Sequence, residues 1–323
     1  MKQYFFLFFL IPFCFYAQQT TPYFKNYSKS DYQGENANWD ITQNEDGIIY
    51  TANNYKLLEY NGNEWRKYAL PKNLVIRSSE VIQDTLYTGA YQEFGYWLHD
   101  KTNKLVYTSL SKQLNVVFFE NDAIWKIYSY KDYIVFQSFK GLYLFNKTNQ
   151  EIKKIAFPEV SAIFTYNFQN TIYLASKNGG VFKLDKEKFV FENWSSPLKS
   201  FTIQSMVAYK DGFLLGTQLH GIYLFKDNTL TKWIDKDSPN IQGVEINNLS
   251  IVDHKLCIGT INNGLLILNE NQELLYTINT NNGLLNNTIL SQYEDVSGNL
   301  WLGLSMGGCF RLLQKTLYAF NDK

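Results

Sequence analysis

The chain has 323 residues, and its 30 basic and 30 acidic side chains cancel to a formal charge of zero. It is 45% hydrophobic and 17% aromatic with six prolines, a mix that favours strands over helices. No basic patch or tail stands out, which argues against direct binding to nucleic acid or to anionic membrane surfaces.

The first segment, "MKQYFFLFFLIPFCFYAQQ", carries Lys2, an apolar run from Tyr4 to Tyr16, and the small residue Ala17. This predicts a secretory signal peptide over 1–17, because the apolar run is too short to span a bilayer. Phe15 is a poor residue just before such a cleavage point, so retention of the leader as an anchor stays open. Cys14 follows Ile-Pro-Phe, which is a bad lipobox. Export places the mature chain in the periplasm or outside the cell. Beyond the leader only Cys257 and Cys309 remain, both in strand-like runs. They read as small buried hydrophobes and are too few for a disulfide framework.

Residues 18–323 are expected to form one propeller domain, and from about residue 38 to 315 the chain repeats itself. Seven related stretches begin with "GIIYTANNYKLLEY" at Gly47 and end with "EDVSGNLWLGLSMGG" from Glu294 to Gly308. One position falls in turn at Tyr50, Tyr87, Val135, Tyr173, Leu214, Cys257 and Trp301, at spacings of 37, 48, 38, 41, 43 and 44. That period suits a four-stranded blade. In each unit a first strand leads through a polar turn to a tight second strand ending in Gly-Thr or a variant, as at Gly216, Gly259 and Gly303. A second glycine follows five residues later at Gly221, Gly264 and Gly308. The first glycine permits close backbone approach near a crowded axis, and the second supplies a positive φ. The residue at the Trp301 position is expected to fill the wedge between neighbouring blades. The third unit, with Val135 and Gln137, fits the pattern least well. Fourth strands are expected to carry outward aromatics: Trp65, Trp194, Trp233 and Tyr276. The predicted fold class is all-β: a seven-bladed β-propeller of four-stranded blades. The ring must close through either "TPYFKNYS" (21–28) or "KTLYAFND" (315–322), and the sequence leaves that choice open.

The stretch "EDVSGNLWLGL" resembles the two-component regulator propeller repeat, and the opening from Asn26 to Tyr68 is similar to the start of periplasmic sensors of Bacteroidetes-type bacteria. The resemblance covers nearly the whole mature chain. It implies a periplasmic ligand-sensing or interaction propeller of a transmembrane signalling and transcription-regulating protein. Such proteins continue into a triple-tyrosine sandwich, a membrane helix, and a histidine-kinase or LuxR-type output. None of these lies within this sequence, which ends at Lys323 just after the seventh unit. A fragment, a truncated reading frame and a stand-alone propeller are the three readings of that end, and the output activities do not transfer to these residues.

No catalytic constellation, cofactor motif or metal spacing is visible. His99, His220 and His254 stand apart from one another and from cysteine. The acidic turns at Glu45-Asp46-Gly47, Asp185 and Glu294-Asp295 read as side-chain-to-backbone turns and lack the alternating oxygens of a calcium loop. No Gly-x-Ser-x-Gly elbow is present. The chain is therefore expected to be a binder and not an enzyme. Its alternatives are a secreted propeller lyase or glycosidase acting on polysaccharide, or a periplasmic assembly scaffold. Two close carboxylates with perturbed protonation in a deep mouth would favour the enzyme. Expected ligand contacts on the rim are Tyr91, Glu93, Lys140, Asn178, His220, Asn262 and Met306. First-strand residues Arg77, Trp125, Gln204 and Asn247 are expected to face the channel. The partner is an unspecified small molecule, glycan or peptide, with homodimer pairing compatible. Membrane association would come only through an uncleaved leader or missing downstream segments.

Overall fold

The structure, a computed structural model, describes residues 23–312; the predicted leader at 1–17 lies outside them. Seven separate four-stranded sheets, each antiparallel throughout, form the blades of a propeller. Blades 1 to 6 span 38–68, 76–109, 126–156, 161–191, 203–234 and 246–278, each running in chain order from its first strand to its fourth. Blade 7 takes three strands from 289–312. Its fourth is Phe24–Tyr27, pairing Phe24 with Leu312 and Tyr27 with Cys309. The "TPYFKNYS" segment thus closes the ring, joining the two ends of the described chain. The alternative at 315–322 lies outside the described residues.

The first strands of successive blades touch one another around the ring, including blade 7 against blade 1. Apolar side chains between blade faces form seven clusters, one per junction. The recurring sequence position supplies each junction: Tyr50, Tyr87, Val135, Tyr173, Leu214, Cys257 and Trp301 fall in seven different clusters. Trp301, 1% exposed, packs with Ile41, Ile49 and Leu58 of blade 1. Its ring stacks on Tyr27 at 5.4 Å and 11°. Its Nε1–H donates to Asp295 Oδ2 at 2.8 Å, while Asp295 Oδ1 accepts the backbone N–H groups of Ser297 and Asn299. One carboxylate therefore ties the turn and aims the wedge residue.

The two glycines of the seventh unit show why the pattern needs them. A Cβ at Gly303 would overlap Ser291 Oγ and the Asn38 carbonyl of the next blade. Gly308 has φ +126°, and a Cβ there would overlap the Tyr27 carbonyl on the closing strand. A hydroxyl at the end of the second strand completes the following turn: Thr217 and Thr260 donate to the carbonyls of Gly221 and Gly264 at 2.6 and 2.7 Å. In the atypical third unit, Gln137 replaces the glycine and reaches across to blade 4. Its amide donates to the Ile163 carbonyl, and its Oε1 accepts from the Thr165 N–H and hydroxyl. Blade 4 accommodates it with a wider irregularity, two residues (163 and 164) intervening between the paired positions Ala162 and Thr165.

Two fourth-strand aromatics depart from expectation. Trp194 lies in a 3-10 turn, Asn193–Leu198, following a fourth strand that ends at Phe191. Tyr276 is buried at the junction with blade 7. Cys257 and Cys309 are both free and buried, and burial pushes their thiols up to about 12.

Trp301→Ala should lower unfolding free energy by about 3–5 kcal/mol, the usual cost of deleting a buried tryptophan, as read from urea denaturation. A midpoint unchanged from wild type would remove the wedge from this account of closure.

Candidate ligand site in the central channel

A first strand at the hub of a propeller has one edge paired and the other facing the axis, so its open backbone groups need partners. Side chains of the preceding blade supply several. Asp40 Oδ2 accepts the Ser79 N–H at 3.0 Å, Thr42 Oγ1 the Val81 N–H at 3.1 Å, and Ser205 Oγ the Leu249 N–H at 3.0 Å.

The same strands share a second feature. A register shift near the start of the first strand leaves Trp39, Arg77, Gln204, Asn247 and Leu290 each as the extra, unpaired residue. Phe164 sits in the wider irregularity of blade 4, and Trp125 directly precedes the paired strand of blade 3. A bulge re-aims its extra side chain. All seven line one central cavity of about 420 Å³, and all seven are half-buried. The channel wall is thus a ring of one residue per blade, set in six blades by a backbone irregularity and in blade 3 by the residue just before the paired strand.

The ring is chemically lopsided. Blades 1 to 4 contribute Trp39, Arg77, Trp125 and Phe164, and the Arg77 guanidinium stands over Trp39 at 4.0 Å and Trp125 at 4.8 Å. The opposite wall is amide-rich: Gln204 donates to Asn247 Oδ1 at 3.3 Å, Asn247 to the Ile289 carbonyl at 2.7 Å, and Gln292 to Asn248. Deeper in the hub, Lys126 Nζ lies 3.7 Å from the Tyr166 ring. Burial pulls Lys126 down to about 8 against the attraction of Asp40 and Glu80. Burial likewise pushes Asp40 up to about 7 and Glu80 up to about 8.

The four residues expected to face the channel, Arg77, Trp125, Gln204 and Asn247, are all on its wall. Of the rim residues, Tyr91 is 48% exposed and lines a groove of about 400 Å³ that shares Arg77 and Trp125 with the channel. Lys140, Asn178, Asn262 and Met306 are exposed on the turns between second and third strands but line neither hollow. His220 stacks on Phe201 at 4.0 Å, which fixes its ring. Glu93 corrects the expectation of an open rim ligand. It is 4% exposed and its Oε1 accepts the hydroxyls of Tyr107, Ser109 and Ser111, so its charge serves the local structure.

Trp39, Asp40, Lys126, Phe164 and Leu290 belong to the channel wall and escaped the sequence reading. A signal for three of them existed. Each ring residue precedes the wedge residue of its own unit by nine to eleven positions, from Trp39 before Tyr50 to Leu290 before Trp301.

No protein-family model matches the chain, and no curated protein matches it. Solved structures do. The extracellular domain assigned to the hybrid two-component system BT4673 of B. thetaiotaomicron superposes with a TM-score of 0.72 at 17% identity, over 91% of this chain and 40% of that one. The corresponding domain of BT3049 from the same organism gives 0.69 at 17% identity, over 91% and 42%. Virginiamycin B lyase of Staphylococcus aureus gives 0.69 at 11% identity, over 90% of this chain and 98% of that one. The chain therefore spans about two fifths of the extracellular domains of those two systems. What it shares with all three, at these identities, is the fold. Among the described residues no helix is long and apolar enough to cross a membrane.

The buried charges make a pH prediction. Folded Asp40 and Glu80 keep protons up to about 7 and 8, whereas their ordinary values are 3.8 and 4.5. Folding thus takes up protons in that window, and stability contributed below it is lost as pH rises through about 7 to 8. Lys126 acts in the opposite sense between about 8 and 10.5, where only the unfolded chain holds its proton. Asp40→Asn should flatten the fall in urea midpoint between about pH 4 and 7; an unaltered slope would contradict the assignment.

Proposed function

We propose that this chain is a ligand-binding propeller that senses a small molecule, glycan or peptide at its channel mouth, as the exported sensory part of a bacterial signalling protein. The observation that supports this most is the ring of residues on the channel wall. One side chain per blade enters a single cavity, six of them from a backbone irregularity in the first strand, and three tryptophan and phenylalanine faces there oppose a wall of ordered amides. Concave sites with apolar faces and a few fixed polar groups are the usual setting for small ligands. The superposition on extracellular domains assigned to two-component systems agrees with a sensory role outside the cytoplasm, and the signalling output belongs to this proposal.

A second reading, catalysis, has one observation in its favour: Asp40 and Glu80 lie within electrostatic reach of each other and hold protons unusually tightly. The geometry weighs against it. Asp40 spends its Oδ2 on the Ser79 N–H and its Oδ1 on the Ile41 N–H, so its oxygens serve the backbone of the hub. Binding is therefore the better supported reading.

A thermal-shift screen of the full chain against oligosaccharides, peptides and small metabolites tests it. Ligands that raise the melting temperature should lose most of that shift in Trp125→Ala and keep it in Asn178→Ala and Asn262→Ala, whose residues lie away from the channel. Equal loss in the distant variants, or none in Trp125→Ala, would move the site elsewhere.

A further inference from the structure

Of the seven ring residues only Arg77 carries a formal charge. Among the described residues no carboxylate is in ion-pair contact with Arg77, whereas Arg66 pairs with Glu64 at 2.7 Å. Arg77 Nη1 is buried without a hydrogen-bond partner. Asp40, an acid on the same cavity wall, is held by the backbone N–H groups of Ser79 and Ile41. What positions the guanidinium is aromatic surface. Trp39 and Trp125 meet edge to face at 5.9 Å and 82°, and the guanidinium lies against both rings. Trp39 is itself pinned, its Nε1–H donating to Asn54 Oδ1 at 2.7 Å. Burial disfavours the charge and pulls the Arg77 pKa down. A guanidinium held by ring faces and lacking an anion keeps its planar fork of donors for a partner of matching shape.

Arg77 and Trp125 also form the common wall between the channel cavity of about 420 Å³ and the mouth groove of about 400 Å³ that carries Tyr91 and Tyr55. The groove therefore presents exposed tyrosines, an indole and the guanidinium on one surface.

We infer that the mouth takes a small ligand bearing a carboxylate next to a flat apolar group, the carboxylate seated on the Arg77 fork and the flat group against Trp39 and Trp125. This rests on the reading of the channel as a binding site and adds the chemical class of the ligand. A carboxylate is planar and presents two oxygens to a guanidinium edge, which suits a cation lying against two indole rings better than a tetrahedral anion does.

The test titrates the full chain, labelled for indole N–H detection by NMR, with phenylacetate, phenylacetamide and inorganic phosphate at millimolar concentrations. Phenylacetate should shift the Trp39 and Trp125 signals saturably, and phenylacetamide should bind about ten- to hundredfold more weakly, the usual worth of a charge-assisted pair. Arg77→Gln should abolish that preference and Arg77→Lys restore only part of it, with melting temperatures of both variants reported as the check on folding. If the amide binds as well as the acid, or Arg77→Gln keeps the preference, the carboxylate assignment is overturned while the channel remains a binding site. Phosphate binding as tight as phenylacetate overturns it in favour of a generic anion site. If no probe moves either indole and the ligand screen also finds nothing sensitive to Trp125→Ala, both the class and the site fall together.

Discussion

Sheets set radially around an axis crowd at their inner edges and splay apart outside, and this wedge is the constraint every other feature of the molecule answers. Twisted blades can meet face to face only if large side chains fill the outer gap and small ones allow contact at the hub. One position per unit carries the first task, from Tyr50 to Trp301, each in its own junction cluster. The glycines carry the second, as Gly303 does against Asn38 of the neighbouring blade. Where a unit breaks the rule, as with Gln137, its neighbour deforms and the side chain bonds the freed backbone.

The ring adds a second requirement, that its ends be joined. Blade 7 is completed by Phe24–Tyr27, so chain segments almost the whole length of the described protein apart are hydrogen-bonded into one sheet. Phe24 stacks on Phe310 at 4.8 Å and Tyr27 on Trp301, which makes the closing strand part of the core and not a loose overlay. The same pairing fixes the last wedge residue, because Trp301 is held between the closing strand and blade 1.

The candidate site is a by-product of the hub. Inner strands must satisfy an open edge and also leave room around the axis, and in six of the seven blades an irregularity near the strand start turns one side chain inward. Seven residues make the wall, and they differ in chemistry from blade to blade. The result is an aromatic and cationic half and an amide half. The same fold superposes on extracellular domains assigned to two-component systems and on a lyase, so the scaffold alone does not select the chemistry.

How much of this was legible differs by scale. Blade number, the wedge position and the glycine pattern were written in the sequence, because each blade faces the same packing problem and solves it with the same residue types at the same offsets. Arg77, Trp125, Gln204 and Asn247 could be placed on the channel for that reason, and the regular offset from the wedge residue would have added Trp39, Phe164 and Leu290. Glu93 could not be placed, since whether a carboxylate at the start of a strand faces solvent or three hydroxyls depends on where Tyr107, Ser109 and Ser111 arrive in space. Nor could the meeting of Asp40, Glu80 and Lys126, which come from three blades. The sequence by itself determined the repeat and therefore the fold, because repetition is local and periodic. Only the tertiary structure decided which strand closes the ring and which charges share the hub, because both depend on contacts between residues that sequence distance does not relate.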